Sequence, residues 1–140
     1  MQTRKEPYGV VGLITPWNYP LLMSLWKVGP ALAAGNCVIL KPSELTPLTN
    51  IFLGSLVIKA GFPPGVINIL VGYGPIVGRY ISKHPKIPKV SFTGSTKVGR
   101  EIMINSGETN LKKICLELGG KSPVIVFKDA DLDLAVSEAW

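Results

Sequence analysis

The chain is 140 residues long, one domain's worth, and although 46% of it is hydrophobic no run approaches the roughly 18 apolar residues of a membrane-spanning helix. Its net charge of +6 comes from Lys and Arg scattered as singletons apart from Arg4-Lys5 and Lys112-Lys113, with no interleaved aromatics, so nucleic acid is not indicated as a partner and the positive surface is left to attract small anions. Two cysteines, Cys37 and Cys115, lack any ligand spacing and the lone His84 has no companions, so a metal centre is not indicated; the cysteines read as buried, reduced thiols of a cytosolic-type protein.

In chain order, a strand at Tyr8 to Ile14 leads to a helix from about Leu21 to Ala34 and a strand at Cys37 to Leu40. A helix over Pro47 to Ala60 follows, then a strand at Val66 to Leu70, a helix after Pro75 and a strand at Lys89 to Phe92. Next come a helix from Ser95 to about Asn105, strands at Lys113 to Glu117 and Val124 to Phe127, and a helix beginning near Asp131. Thr46-Pro47 supplies a cap and a proline at a helix start, Gly35 and Gly61 stand at helix ends, and the aspartates of KDADL suit a helix N-terminus. Short apolar runs alternating with helices predict a doubly wound, Rossmann-like α/β fold with a parallel sheet, which also accounts for the mean hydropathy of +0.31. The sequence closes at Trp140 inside an amphipathic helical pattern, and Met1 to Lys5 precede the first strand with no element to cover it, so the chain reads as a fragment of a larger protein.

In an open α/β sheet, ligands bind beyond the carboxyl ends of the strands, and the conspicuous residues fall there. Asn18, between two prolines in ITPWNYP, is a turn residue by default, but an amide held rigidly can donate to a developing oxyanion. Lys41-Pro42-Ser43-Glu44 pairs a cation with a carboxylate; by spacing alone it is either a surface salt bridge or a ribose-binding group that favours NAD over NADP. VGYGPIVG, with Gly72, Gly74 and Gly78, has dinucleotide-type glycine spacing. Gly94 to Gly99, GSTKVG, can open a helix whose N-terminus would seat a pyrophosphate, although the spacing departs from G-x-G-x-x-G. LELGGKSP places Glu117 at a strand end before Gly119 and Gly120, where glycine would permit close backbone approach or a positive φ. Cys115 shares a strand face with Glu117, two residues away.

ITPWNYP, LKPSE, GFPPGVINIL, VSFTGSTKVG and LELGGKSP, in this order, resemble the aldehyde dehydrogenase superfamily, over nearly the whole chain from about Glu6 to Trp140. The resemblance implies a truncated fold of that type, with the coenzyme-binding domain over 1–119 and the start of the catalytic domain over 120–140. It implies NAD as cofactor, with NADP left open because Lys41 tolerates a phosphate. The implied cofactor residues are Ile14, Thr15, Pro16 and Trp17; Lys41, Ser43 and Glu44, with Lys41 and Glu44 on the adenosine ribose; Gly74 by the adenine; Phe92 and Thr93; Gly94, Ser95 and Val98 at the phosphate-binding turn; and Leu118 and Gly119. It assigns Asn18 to the oxyanion hole and Glu117 to the general base that activates water, its protonation set by burial against neighbouring charge.

The family's nucleophilic cysteine lies downstream of the ELGG turn, so neither Cys37 nor Cys115 holds that position, and the piece alone is expected to be silent. The intact protein is then an oxidoreductase that converts an aldehyde to a carboxylic acid through a cysteine thiohemiacetal and thioester, a homodimer or homotetramer in the cytoplasm. An acyl-CoA-forming relative fits Glu117 less well. The alternative is a non-catalytic dinucleotide-binding module on the same fold, against which stand Asn18 and Glu117, groups that binding alone does not need.

Overall fold

The computed structural model describes residues 1–139. Its strands are β1 (Val10–Ile14), β2 (Cys37–Lys41), β3 (Ile67–Ile69), β4 (Lys89–Gly94) and β5 (Lys113–Leu118), and its helices are α1 (Pro20–Ala33), α2 (Leu48–Lys59), α3 (Arg79–Lys83), α4 (Thr96–Gly107) and α5 (Leu132–Ala139). A wide helical turn, Gly74–Gly78, runs directly into α3. The five strands are parallel, in the order β3-β2-β1-β4-β5. The order reverses at β1: the chain first builds outward through β2 and β3, then returns to add β4 and β5 on the other edge.

Alternation along each strand sorts side chains to two faces. Val11, Leu13, Val38 and Leu40 pack with Val28 of α1 on one face. On the other, Ile14, Val90 and Phe92 pack with Ile81 of α3 and Ile102 of α4. Each buried Val, Leu or Ile gains roughly 1.5–3 kcal/mol on leaving water, and a strand covered on both faces collects this along its whole length. That is why these segments read as unbroken apolar runs.

Glycine is required where α3 crosses β1. A Cβ on Gly12 would lie 2.5 Å from Ile81 Cγ2 and 3.3 Å from Val90 Cγ2. Gly35 and Gly61, both at φ +78°, end α1 and α2 in the left-handed region, as their sequence positions predict. Asp131 caps α5, its Oδ1 accepting from the amides of Asp133 at 3.0 Å and Leu134 at 3.1 Å.

Three expectations are corrected. Val124 to Phe127 form no strand; their side chains are 48–74% exposed, and a strand needs a partner that this segment does not find. Thr46 does not cap α2; its hydroxyl instead donates to the carbonyl of Trp17 at 3.3 Å, and Pro47 stands at the cap position. Cys115 is exposed rather than buried, because it projects from β5, at the sheet edge, away from the α4 side, while Cys37 is half-buried.

Replacing Gly12 by alanine should cost about 1–3 kcal/mol of stability through overpacking against Ile81. Urea unfolding would measure it, and an unchanged midpoint would show that α3 can move away from β1 at no cost.

Candidate functional site

The carboxyl ends of β1, β2 and β4 open onto a groove of about 710 Å³ on the α3/α4 side. β1 contributes Ile14 and, beyond its end, Thr15, Pro16 and Trp17; β2 leads to Lys41, Ser43 and Glu44. Gly74 comes from the wide turn before α3, while Phe92, Thr93, Gly94, Ser95 and Val98 come from β4 and the start of α4. This is the place where the strand order reverses, the position at which open α/β sheets bind ligands. Leu118 and Gly119 do not line it. Leu118 packs in the core beside α4, where a Cβ on Gly99 would lie 2.8 Å from its Cδ2, and Gly119 lies beyond the strand end.

The electrostatic centre of the groove is an ion pair. Lys41 is 3% exposed, and its Nζ donates to Glu44 Oε2 at 2.7 Å and to the carbonyl of Pro42 at 3.1 Å. Burying an ammonium is costly unless it is paired and hydrogen-bonded, and the rigid Lys-Pro-Ser-Glu turn brings its partner within reach. The other carboxylate oxygen, Oε1, accepts from the amide of Gly74 at 3.0 Å. Burial alone would raise the Glu44 pKa, but the hydrogen bonds from Lys41 and Gly74 outweigh it and hold the carboxyl at about 2. Glu44 is therefore a fixed negative charge at the groove, with lone pairs left to accept from a ligand's hydroxyls.

Opposite this pair, Ser95 caps α4, its Oγ accepting from the amide of Val98 at 3.3 Å. The remaining first-turn amides of a helix of 12 residues point toward the groove end and favour an anion. Gly94 is sterically required: a Cβ there would lie 2.5 Å from Phe92 Cζ.

Glu117 lies elsewhere. It lines a second cavity, of about 610 Å³, on the α1 side of the sheet, together with Cys115, Lys27, Ser91 and Thr93. The shared face of Cys115 and Glu117 is as the strand period predicts. Thr93 lines both cavities and is where they adjoin. Lys27 Nζ donates to Ser91 Oγ at 2.8 Å. Burial lowers the Lys27 pKa, against the opposing pull of Cys115 and Glu117. Asn18 is exposed in the loop between β1 and α1 and lines neither cavity. A Cβ at Gly119 or Gly120 would meet no atom within 4 Å and neither residue has a positive φ, so the described residues do not require glycine there, contrary to expectation.

Sequence reasoning missed Lys27 and Ser91, and also Arg79, Lys83, Glu101 and Asn105 at the far end of the groove. A lone lysine inside the apolar run Leu21 to Leu40 was the available signal for Lys27. Among the described residues, no three His, Cys, Asp or Glu side chains converge as a metal site.

The profile of the Aldehyde dehydrogenase family matches residues 1–140. The chain belongs to the aldehyde dehydrogenase family. It is 62% identical over 137 residues to aldehyde dehydrogenase 1A1 of Mesocricetus auratus, covering 98% of this chain and 27% of that protein. With retinaldehyde dehydrogenase 3 of Homo sapiens it shares 61% identity over 134 residues, 96% of this chain and 26% of that one. Among solved structures, betaine aldehyde dehydrogenase of Staphylococcus aureus in complex with NAD+ matches with a TM-score of 0.90 at 52% identity, covering 96% of this chain and 26% of that one. An indole-3-acetaldehyde dehydrogenase complexed with NAD+ gives 0.90 at 55% identity, covering 96% and 27%. The chain thus spans about 27% of the length of the curated relatives it matches. The five-stranded parallel sheet is that of the aldehyde dehydrogenases.

Because the Glu44 carboxyl is held at about 2 rather than at its ordinary 4.5, the charged pair stabilises the fold in full above about pH 4.5 and loses that contribution as the pH falls toward 2. Glu44→Gln should flatten this part of the acid dependence. Thermal unfolding followed from about pH 5 down to about pH 2 measures it; equal acid slopes for both proteins would mean that the pair adds nothing.

Proposed function

We propose that this chain is the dinucleotide-binding portion of an enzyme that oxidises an aldehyde to a carboxylic acid with NAD+. The observation that carries this reading is the ionised Glu44, held by Lys41 and the Gly74 amide in a groove at the sheet's reversal point. Family membership supports it, as does the likeness to relatives solved with NAD+.

Bound in the groove, NAD+ would supply a hydride acceptor. Glu44 accepts from the hydroxyls of the adenosine ribose, and its fixed charge repels a 2′-phosphate, so NAD+ is preferred over NADP+. Lys41 is already neutralised by Glu44 and serves chiefly to hold it. Ser95 and the first turn of α4 seat the pyrophosphate. Asn18 donates its side-chain amide to the oxyanion that forms when the aldehyde carbonyl is attacked. The nucleophile is a cysteine thiolate from sequence downstream of this stretch. Glu117 takes the proton from the water that releases the acyl group as an acid.

Kinetics of the full-length protein with propanal and NAD+ test these roles. Asn18→Ala should lower kcat by about 10²–10³ through loss of an oxyanion donor. Glu117→Gln should leave a first burst of NADH and slow later turnover by about 10²; undiminished steady turnover would remove the base assignment. Glu44→Ala should shift preference toward NADP+ by about tenfold, or about 1.4 kcal/mol of lost discrimination, whereas equal wild-type affinity for the two dinucleotides would contradict the role of Glu44. Binding of NAD+ without any turnover would favour a binding module instead.

A further inference from the structure

Asn50 lies in the first turn of α2 and is wholly buried, at 0% exposure. Its Nδ2 donates to the carbonyl of Pro20 at 3.2 Å, thirty positions away in sequence. Its Oδ1 is buried without a hydrogen-bond partner. A half-satisfied buried amide is costly, and an apolar residue at this position would avoid that cost. Stability alone therefore does not explain an asparagine here.

The carbonyl that Asn50 holds ends the loop carrying Asn18. Pro20 is the first residue of α1, and the same oxygen accepts from Ser24 Oγ at 2.7 Å. Ser24 is also wholly buried, and its Oγ lies 3.4 Å from that of Thr15, at the other end of the loop. Since the Ser24 proton is engaged by Pro20, Thr15 is the donor in that contact. Thr15 in turn donates its amide to the carbonyl of Lys41 at 3.1 Å. Midway, the carbonyl of Trp17 accepts from Thr46 Oγ1 at 3.3 Å, just before α2. The loop from Thr15 to Pro20 is thus fastened at both ends and on one side of Asn18, and α2 supplies or adjoins two of the ties. Asn18 itself is exposed above this scaffold.

We propose that Asn50 is a positioning residue for Asn18: by fixing the Pro20 carbonyl it sets the direction in which the Asn18 amide projects. This rests on the reading of Asn18 as the oxyanion donor. A donor displaced by about 1 Å can lose 10²-fold in rate without losing its substrate, so the signature is a change in kcat rather than in binding.

The test is a double-mutant cycle in the full-length protein, with propanal and NAD+. Asn50→Ala should lower kcat by about tenfold while KM for propanal and Kd for NAD+ change by less than about twofold. In the Asn18→Ala background, Asn50→Ala should have no further effect, because the group it orients is gone. The same loss in both backgrounds, or no loss from Asn50→Ala alone, would overturn the inference while leaving Asn18 its role. If Asn18→Ala itself leaves kcat unchanged, the oxyanion reading falls and this inference with it. Should Asn50→Ala fail to fold, Ser24→Ala removes the other donor to the same carbonyl and is held to the same criteria.

Discussion

The structure depends on β1 being buried on both faces and hydrogen-bonded on both edges. It pairs with β2 on one side and β4 on the other, so the chain must leave it in one direction and return to it from the other. Connections leaving the carboxyl ends of β1 and β4 therefore diverge, and the space between them cannot be closed by a neighbouring loop. The groove is a consequence of strand order before it is a consequence of any side chain. Gly12 in the middle of β1 is part of the same constraint, since it lets α3 sit close enough to roof the sheet beside the groove.

Within that space, polar groups are placed by short-range chemistry. A turn of four residues brings Glu44 onto a buried Lys41, and the amide of Gly74 from the next crossover completes the carboxylate's shell. The pair thereby ties β2 to the turn that begins α3. A carboxylate fixed in this way needs no rearrangement to receive a ligand, which limits the ordering cost of binding. The loop carrying Asn18 is fastened likewise, by side chains of α1 and by the segment that opens α2.

Much of this was legible in the sequence. The apolar runs located each strand of the sheet to within two residues at either end, because strands covered on both faces carry a continuous signal. Motifs at strand ends located the groove, because topology delivers strand ends to one place. Val124 to Phe127 misled because an apolar run says nothing about whether a partner strand exists. Thr46 misled because a hydroxyl before a helix can serve another carbonyl, here that of Trp17. Lys27, Ser91 and Asn50 were not found because each acquires its meaning from a contact 30 or 64 positions away, which no local pattern records.

Along β4, successive residues serve different compartments: Phe92 and Gly94 face the groove, while Ser91 belongs to the cavity of Lys27 and Glu117, and Thr93 borders both. The strand is a partition one peptide thick. A single inserted or deleted residue within it would exchange the two sets of side chains, presenting Phe92 to Lys27 and Ser91 to the groove. Length in this strand is consequently a stricter requirement than identity: many side chains could be exchanged singly with local effects, whereas one change of register would disable both chambers together.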